Sequence, residues 1–198
     1  MDTKKIVCSN ISKLFENTKI LDPTNGNYVL FRSLWEENTK PLMLVNWLRR
    51  FGWSLCRVGA LDLTTALTEA SDEVKNKLNW SAVGLAKLDY EDFVKADYFR
   101  NGHVYIDEDK ETYKALKFTS MGLLSGYGML NPSVYTKASE AKKRGIVGNL
   151  QGDGFQLGGL LIIDKNGDVV FSHVQKSYTD QPNVDDLLKS VEQYNKKI

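Results

Sequence analysis

Residues 42–57 read LMLVNWLRRFGWSLCR and give the clearest indication of the fold. Its first part, Leu42–Leu48, is a mostly apolar run of strand length that the charged and glycine-containing segment 49–52 interrupts. Such a run is typical of a parallel strand that is buried on both faces. Ser54 can cap a following helix whose apolar and small residues recur at helical spacing, at Leu55, Gly59, Leu63, Ala66 and Ala70. The stretch therefore predicts a buried strand, a turn, and a helix with Cys56 in its first turn.

Strands and helices alternate in the sequence that follows this helix. Further strands are predicted at Trp80–Lys87 and His103–Ile106, and short helices at Glu91–Asp97 and Lys110–Leu116. Alternation with elements of this length calls for a parallel sheet with right-handed crossovers.

The C-terminal part predicts a hairpin and a final helix. Gly159–Asp164 and Asp168–Val174 flank Asn166-Gly167, a residue pair that favours a tight type I′ turn between antiparallel strands. The segment Val184–Tyr194 has apolar residues at i, i+3, i+4 and i+7, as an amphipathic helix requires. Between these parts, a helix is predicted from about Tyr135 to Arg144, with Gly145 as its stop.

This order of elements predicts an α/β protein with a thioredoxin-like fold, in which a central mixed sheet is flanked by helices. We expect one domain over residues 1–198, because the chain is long enough for one core and short for two. Residues 1–26 would form an N-terminal extension. Residues 118–157 would form an insertion before the C-terminal hairpin and helix.

Composition and charge narrow the classes of function. The 26 basic and 25 acidic residues nearly cancel, so no strong field attracts nucleic acid or an anionic membrane surface. The sequence contains neither a signal-peptide pattern nor an apolar run long enough to cross a membrane, which predicts a soluble, cytoplasmic protein. Cys8 and Cys56 are too few for a disulfide scaffold, so a cysteine function here is expected to be reactive.

Cys56 is the candidate nucleophile. In the first turn of a helix it meets the positive end of the helix dipole, and Arg49, Arg50 and Arg57 are close in sequence. This is the microenvironment of a reactive thiolate. The alternative is an inert cysteine on the core side of the helix, and position alone does not separate the two.

Several segments of the chain resemble one known family. Leu48–Arg57 resembles the active-site segment of the peroxiredoxin-like family that contains prostamide/prostaglandin F synthase, with two arginines, Phe-Gly, and a C-x-x-C pair followed by Arg. Further segments agree in the same order, namely Asp97–Phe99, Val104–Glu108, Gly145–Ile163 and His173–Ser177. The resemblance extends over roughly residues 29–191.

The resemblance implies a thiol oxidoreductase of prostaglandin and lipid metabolism. It implies reduction of the endoperoxide of prostaglandin H compounds, including their ethanolamides, to the F series, with no bound cofactor and with electrons from NADPH relayed by thioredoxin. One thiolate attacks a peroxide oxygen, and the neighbouring cysteine resolves the intermediate as a disulfide. Here Trp53 stands at the first position of the pair, so Cys56 has no such neighbour. Peroxiredoxins, an antioxidant class, look similar but use a single attacking cysteine in a T-x-x-C arrangement, in which Trp53 would replace the threonine.

Three hypotheses follow for the function. In the first, Cys56 alone attacks a prostaglandin-type endoperoxide or lipid hydroperoxide, and thioredoxin or another small thiol regenerates it. In the second, the protein is redox-impaired and binds a lipid or protein partner without turnover, as Trp53 suggests. In the third, Cys56 forms mixed disulfides with glutathione or protein thiols.

The remaining motifs carry weaker signals. The glycine-rich tract before the hairpin lacks a phosphate-loop pattern, but Gly158 and Gly159 fall where a thioredoxin fold faces its active site. Bare glycine backbone there would let a substrate approach Cys56, and turn formation is the alternative. His103 and His173 are expected to be structural, and no metal site is predicted. Cys8 is expected to be incidental, not a resolving cysteine.

Overall fold

The computed structural model describes residues 10–121 and 131–195, so Cys8 lies outside the described residues. The strands are β1 (Lys19–Asp22), β2 (Asn27–Leu30), β3 (Leu42–Leu48), β4 (Leu78–Gly84), β5 (His103–Ile106), β6 (Gly159–Asp164) and β7 (Val169–Val174). The helices are α1 (Ser33–Glu36), α2 (Ser54–Glu69), α3 (Asp72–Lys77), α4 (Tyr90–Lys95), α5 (Glu111–Ala115), α6 (Pro132–Lys143) and α7 (Val184–Glu192).

The strands form one mixed sheet in the order β2-β1-β5-β4-β3-β6-β7. β3 runs parallel to β4 and antiparallel to β6, and β4 runs parallel to β5. Helices flank this sheet, which confirms the predicted thioredoxin-like α/β fold. β3 is buried on both faces because its side chains alternate: Leu42 and Leu44 pack with α2, α3 and α7, while Met43, Val45 and Trp47 pack into a second core on the other face.

Several predicted boundaries needed correction. β4 ends at Gly84 and not at Lys87, because its two neighbours end there, with Leu48 and Ile106 as the last residues paired to Gly84. α6 begins at Pro132, earlier than predicted, since proline suits the first helical position and the Asn131 side chain caps the helix. The other predicted helices and β7 differ from the prediction by three residues or fewer at either end, whereas α1 and α3 were not predicted.

The hairpin joins β6 and β7 in antiparallel register, as predicted, but its turn is not type I′. Only Gly167 in the turn has a positive φ, at 87°. Gly167 N donates to Asp164 O, and Asp164 N donates to Asp168 O, which defines a three-residue loop. The Asp164 carboxylate accepts from Asn166 N at 2.9 Å, a local bond that favours the turn without a left-handed asparagine.

The N-terminal segment contributes to the sheet and to its core. β1 and β2 form a short antiparallel ribbon, and β1 pairs with β5. Ile11, Phe15 and Trp35 are fully buried beneath β3. The sequence did not predict these two strands, because four residues each give no measurable periodicity. Within the described ranges, no helix is both long and apolar enough to cross a membrane.

Candidate active site

Cys56 is the third residue of α2 and is partly exposed. The helix begins at Ser54, with Trp53 in extended conformation at the N-cap position, so the predicted cap at Ser54 is wrong by one residue. The Trp53 side chain makes no capping hydrogen bond. The amides of a first helical turn have no intrahelical acceptor, and Cys56 lies among them at the positive end of the helix dipole.

Arg49 is the charged residue that the fold places against Cys56. Its guanidinium carbon lies 3.7 Å from the ring centroid of Trp53 and 4.4 Å from that of Tyr178. Only 4% of Arg49 is exposed. Burial lowers the pKa of Arg49, and its charge interaction and hydrogen bond with Cys56 oppose that effect. A guanidinium in this position stabilises negative charge on the sulfur.

Two nitrogens of Arg49 are left without a partner. Nε and Nη1 are buried and donate no hydrogen bond to any residue that the structure describes. A buried donor without an acceptor costs free energy, and such groups in native proteins call for an explanation. Spare donors beside a sulfur would suit the oxygen atoms of a peroxide.

Trp53 and Tyr178 form the apolar wall of the site. Their rings meet edge to face with centroids 5.7 Å apart, and Leu55, Val134 and Leu157 complete their cluster. Trp53 is 4% exposed, so it belongs to the packed wall and is not a surface residue. Sequence reasoning missed Tyr178, which comes from the loop after β7. The one available signal was its position directly behind the matched segment His173–Ser177.

The other two predicted arginines bind the insertion. Arg50 Nη1 donates to Leu150 O at 2.6 Å. Arg57 donates from Nε to Phe51 O at 2.8 Å and from Nη1 to Val147 O at 2.7 Å. Both guanidinium groups are thus held by backbone carbonyls. These contacts tie residues 147–150 to the segment before α2 and to its first turn, and an interaction with Cys56 is observed for Arg49.

Gly158 and Gly159 are accounted for by close packing of the backbone. A Cβ on Gly158 would overlap the carbonyl oxygen of Trp47, and one on Gly159 would lie 2.6 Å from His173 O. The space that a side chain would need is therefore filled by neighbouring strands. The absence of a side chain at these two glycines lets β3 and β7 pack closely against them. It does not leave open space in front of Cys56.

The space next to Cys56 is small. A cavity of about 20 Å³ is bordered by Cys56, Arg49, Tyr178, Gln175 and Gln181, together with residues of β3 and α2. That volume holds about one water molecule. A small peroxide is of similar size, whereas a lipid is far larger.

Comparison with known proteins agrees with this geometry. The model of the AhpC/TSA antioxidant enzyme family matches residues 65–177, which is more than half of the chain. The chain belongs to this family. The matched range begins after Cys56, so it covers β4 to β7 and the insertion but not the thiol itself.

Relatives of this AhpC/TSA protein carry a more specific name. It is 42% identical to prostamide/prostaglandin F synthase of Homo sapiens over 77% of this chain and 74% of that protein. It is 38% identical to the Sus scrofa protein of the same name, over 84% of this chain and 80% of the relative. These identities confirm the resemblance found in the sequence. They also support the class of thiol oxidoreductases of the peroxiredoxin type.

Solved structures of peroxiredoxins have the same fold. Peroxiredoxin Q of Xanthomonas campestris superposes with a TM-score of 0.60 at 12% identity, over 94% of this chain and 96% of that one. A peroxiredoxin-like protein from Aquifex aeolicus gives a TM-score of 0.57 at 13% identity, over 89% and 82%. At these identities the likeness shows the thioredoxin-type fold alone.

Proposed function

We propose that the protein is a thiol-dependent reductase that cleaves the O–O bond of a prostaglandin-type endoperoxide or a lipid hydroperoxide with Cys56 as its single nucleophile. The observation that supports it is the contact between Cys56 in the first turn of α2 and the buried Arg49 guanidinium. The names of the relatives support the substrate class.

The chemistry with a hydroperoxide proceeds in one displacement. The Cys56 thiolate attacks one peroxide oxygen, an S–O bond forms as the O–O bond breaks, and the leaving alkoxide takes a proton to become an alcohol. Cys56 is then a sulfenic acid. With an endoperoxide, the same attack opens the ring, and the sulfur stays bonded to one of its two oxygens. The free donors of Arg49 would stabilise the charge that develops on oxygen.

Regeneration needs thiols from outside the site. Trp53 stands where the family pattern has its first cysteine, so no neighbouring thiol can form the internal disulfide. A first external thiol would displace water or the product alcohol from the Cys56 sulfur and form a mixed disulfide. A second thiol would release Cys56, so two thiols are oxidised for each peroxide reduced. We assign this role to thioredoxin, supplied with electrons by NADPH, or to another small thiol of a reducing cytoplasm.

The test is a single-turnover experiment with the reduced protein. A prostaglandin H endoperoxide and a simple hydroperoxide are each mixed with the wild type, with Cys56→Ser and with Cys8→Ser. We expect stoichiometric consumption of peroxide by the wild type and by Cys8→Ser, and none above background by Cys56→Ser. Equal consumption by all three proteins would refute the proposal.

A second candidate function is supported by Trp53. This buried residue stands where the family pattern has its first cysteine, which fits a protein that binds its ligand without turnover. In that case the endoperoxide would bind to the wild type and remain intact. Mass spectrometry after addition of oxidised glutathione would reveal a third behaviour, a mixed disulfide at Cys56 without peroxide cleavage.

A further inference from the structure

A larger groove lies beside the cavity at Cys56. It is about 340 Å³ in volume and lies between α2, α6 and the segment 179–184. Leu55, Leu63 and Ala141, all buried, contribute to its apolar lining together with Val58. A concave, mostly apolar site of this volume falls within the range of small-molecule binding sites.

The groove adjoins the cavity at Cys56 through shared residues. Leu55, Gly59 and Gln181 line both spaces. A Cβ added to Gly59 would lie 2.9 Å from Nε2 of Gln181, so the Gln181 side chain lies over Gly59 at the junction. Gln181 is exposed, and a rotamer change of an exposed side chain is fast. Movement of this one side chain would connect the groove with the sulfur.

The charged residues of the groove leave one lysine without a carboxylate partner. Arg144 binds Asp62 through two hydrogen bonds of 2.6 and 3.1 Å, which neutralises both residues. Lys137 Nζ donates to Thr179 O at 2.8 Å, and no ion pair joins it to any acid of the described residues. Glu140 is the other charged residue of the lining. An ammonium group has three donors, so Lys137 has two left for a ligand.

We propose that this groove binds the apolar chain of a lipid monocarboxylate whose peroxide group reaches Cys56, with the carboxylate at Lys137. The inference rests on the proposed function, because the cavity at Cys56 holds about one water molecule and the bulk of a lipid must lie elsewhere. The adjoining groove supplies apolar surface for the chain and a cation for its head group. The Arg144–Asp62 pair closes the rim without adding net charge.

Binding is measured first, separately from turnover, in the Cys56→Ser protein. The probe is a fluorescent fatty acid, displaced by arachidonic acid. Val58 lines the groove but not the cavity at Cys56. Val58→Trp fills the groove and should weaken arachidonate binding about tenfold. Leu61→Trp places the same ring on α2 outside both spaces and should leave the affinity within about twofold.

The head group is tested at the exposed rim, where folding is not at risk. Lys137→Ala should weaken arachidonate binding about threefold, in keeping with an exposed ion pair, and should leave its neutral ethanolamide unaffected. Lys137→Glu should have the larger effect of the same sign. Unchanged affinity for arachidonate in both Val58→Trp and Lys137→Glu would overturn the groove as the lipid site.

Kinetics then separate the failure of the groove from the failure of the proposed function. With Cys56 intact, Val58→Trp should lower the rate with a fatty-acid hydroperoxide about tenfold relative to the rate of the same variant with hydrogen peroxide. If Val58→Trp and Leu61→Trp consume each peroxide at the same rate, the groove is rejected as the lipid site and the proposed reductase activity is retained. Lipid binding that Val58→Trp abolishes, without peroxide consumption by the wild type, would support the groove and reject the reductase.

Discussion

Two buried charges follow strands of the same sheet, and their surroundings differ. Asp107 comes directly after β5 and is 2% exposed, and Arg49 comes directly after β3 and is 4% exposed. The Asp107 carboxylate accepts hydrogen bonds from Glu111 N, Thr112 N and Thr112 Oγ1 at 2.6–3.0 Å. The Arg49 guanidinium has two donors without an acceptor among the described residues.

The difference separates a structural charge from a chemical one. The network of Asp107 continues through Thr112 Oγ1 to the indole N–H of Trp47 at 2.8 Å, so it joins the start of α5 to β3. Every partner of Asp107 is thus supplied by the fold. Arg49 is held by stacking on Trp53 and Tyr178, which fixes its plane and leaves its N–H groups for other acceptors.

The largest effect is expected where the network is complete. Asp107→Ala removes the acceptor for three donors, and we expect the free energy of unfolding to fall by about 3 kcal/mol, measured by urea denaturation. Asp109→Ala, an exposed neighbour, is the control and should change it by less than about 0.5 kcal/mol. The rate of Cys56 with hydrogen peroxide, per folded molecule, should not change. A stable Asp107→Ala protein with a slow thiol would reverse the assignment.

At Arg49 we expect a substitution to change the reaction rate of Cys56 more than the free energy of unfolding. Arg49→Met removes the charge beside Cys56 and should slow thiol loss with a hydroperoxide about tenfold or more, measured by stopped flow. Its unfolding free energy should stay within about 1 kcal/mol, because a buried cation with unpaired donors is costly. Arg49→Lys keeps the charge and should retain part of the rate. Loss of stability without loss of rate would make Arg49 structural.

Trp53→Cys removes one of the two aromatic rings that stack on Arg49. It creates a C-x-x-C pair at the start of α2, so oxidation should lower the free-thiol count by two through an internal disulfide. Loss of the cation–π contact should cost about 1 kcal/mol, and loss of the packing of the buried ring adds to that cost. Trp53→Ser is the matched control, with the same lost contact and no added thiol. A thiol count that does not fall on oxidation would contradict the expected pairing.

The smallest effect concerns pH and the loop that carries Tyr178. Burial lowers the pKa of His173 below its usual value of 6.5, the nearby Asp180 opposes this, and Lys176 adds to it. The folded state then binds a proton less readily than the unfolded state. The unfolding free energy should fall as the pH drops below about 6.5 and level off below the lowered pKa. His173→Gln should show a shallower loss in the same pH range, and an identical slope would exclude His173 as a contributor.

The fold was predictable where hydrophobic patterns are long. β3, β5 and β6 begin and end where their apolar runs predicted. A strand whose side chains are buried in the sheet needs apolar residues, and these make it visible in the sequence. β1 and β2 were missed, since two strands of four residues depend on pairing with β5 and on each other. The predicted type of the hairpin turn was wrong, because Asp164 accepts a hydrogen bond that the residue pair Asn166-Gly167 does not reveal.

The site was predictable only in its local part. The position of Cys56 in the first turn of a helix follows from residues 42–57 alone. The sequence does not show which of the three arginines contacts the sulfur, because that depends on the carbonyl groups of the insertion that hold Arg50 and Arg57. Tyr178 lies more than a hundred residues along the chain from Cys56, and a contact of that range has no signature in local sequence.

The small cavity at Cys56 also fixes how the rate depends on substrate concentration. Hydrogen peroxide fits a space of about 20 Å³, so its rate should rise in proportion to its concentration. A lipid peroxide held in the groove reaches the sulfur once the Gln181 side chain has moved. Because each protein offers one such groove, the rate should approach a ceiling when all grooves are occupied, and raising the lipid concentration further would not increase it.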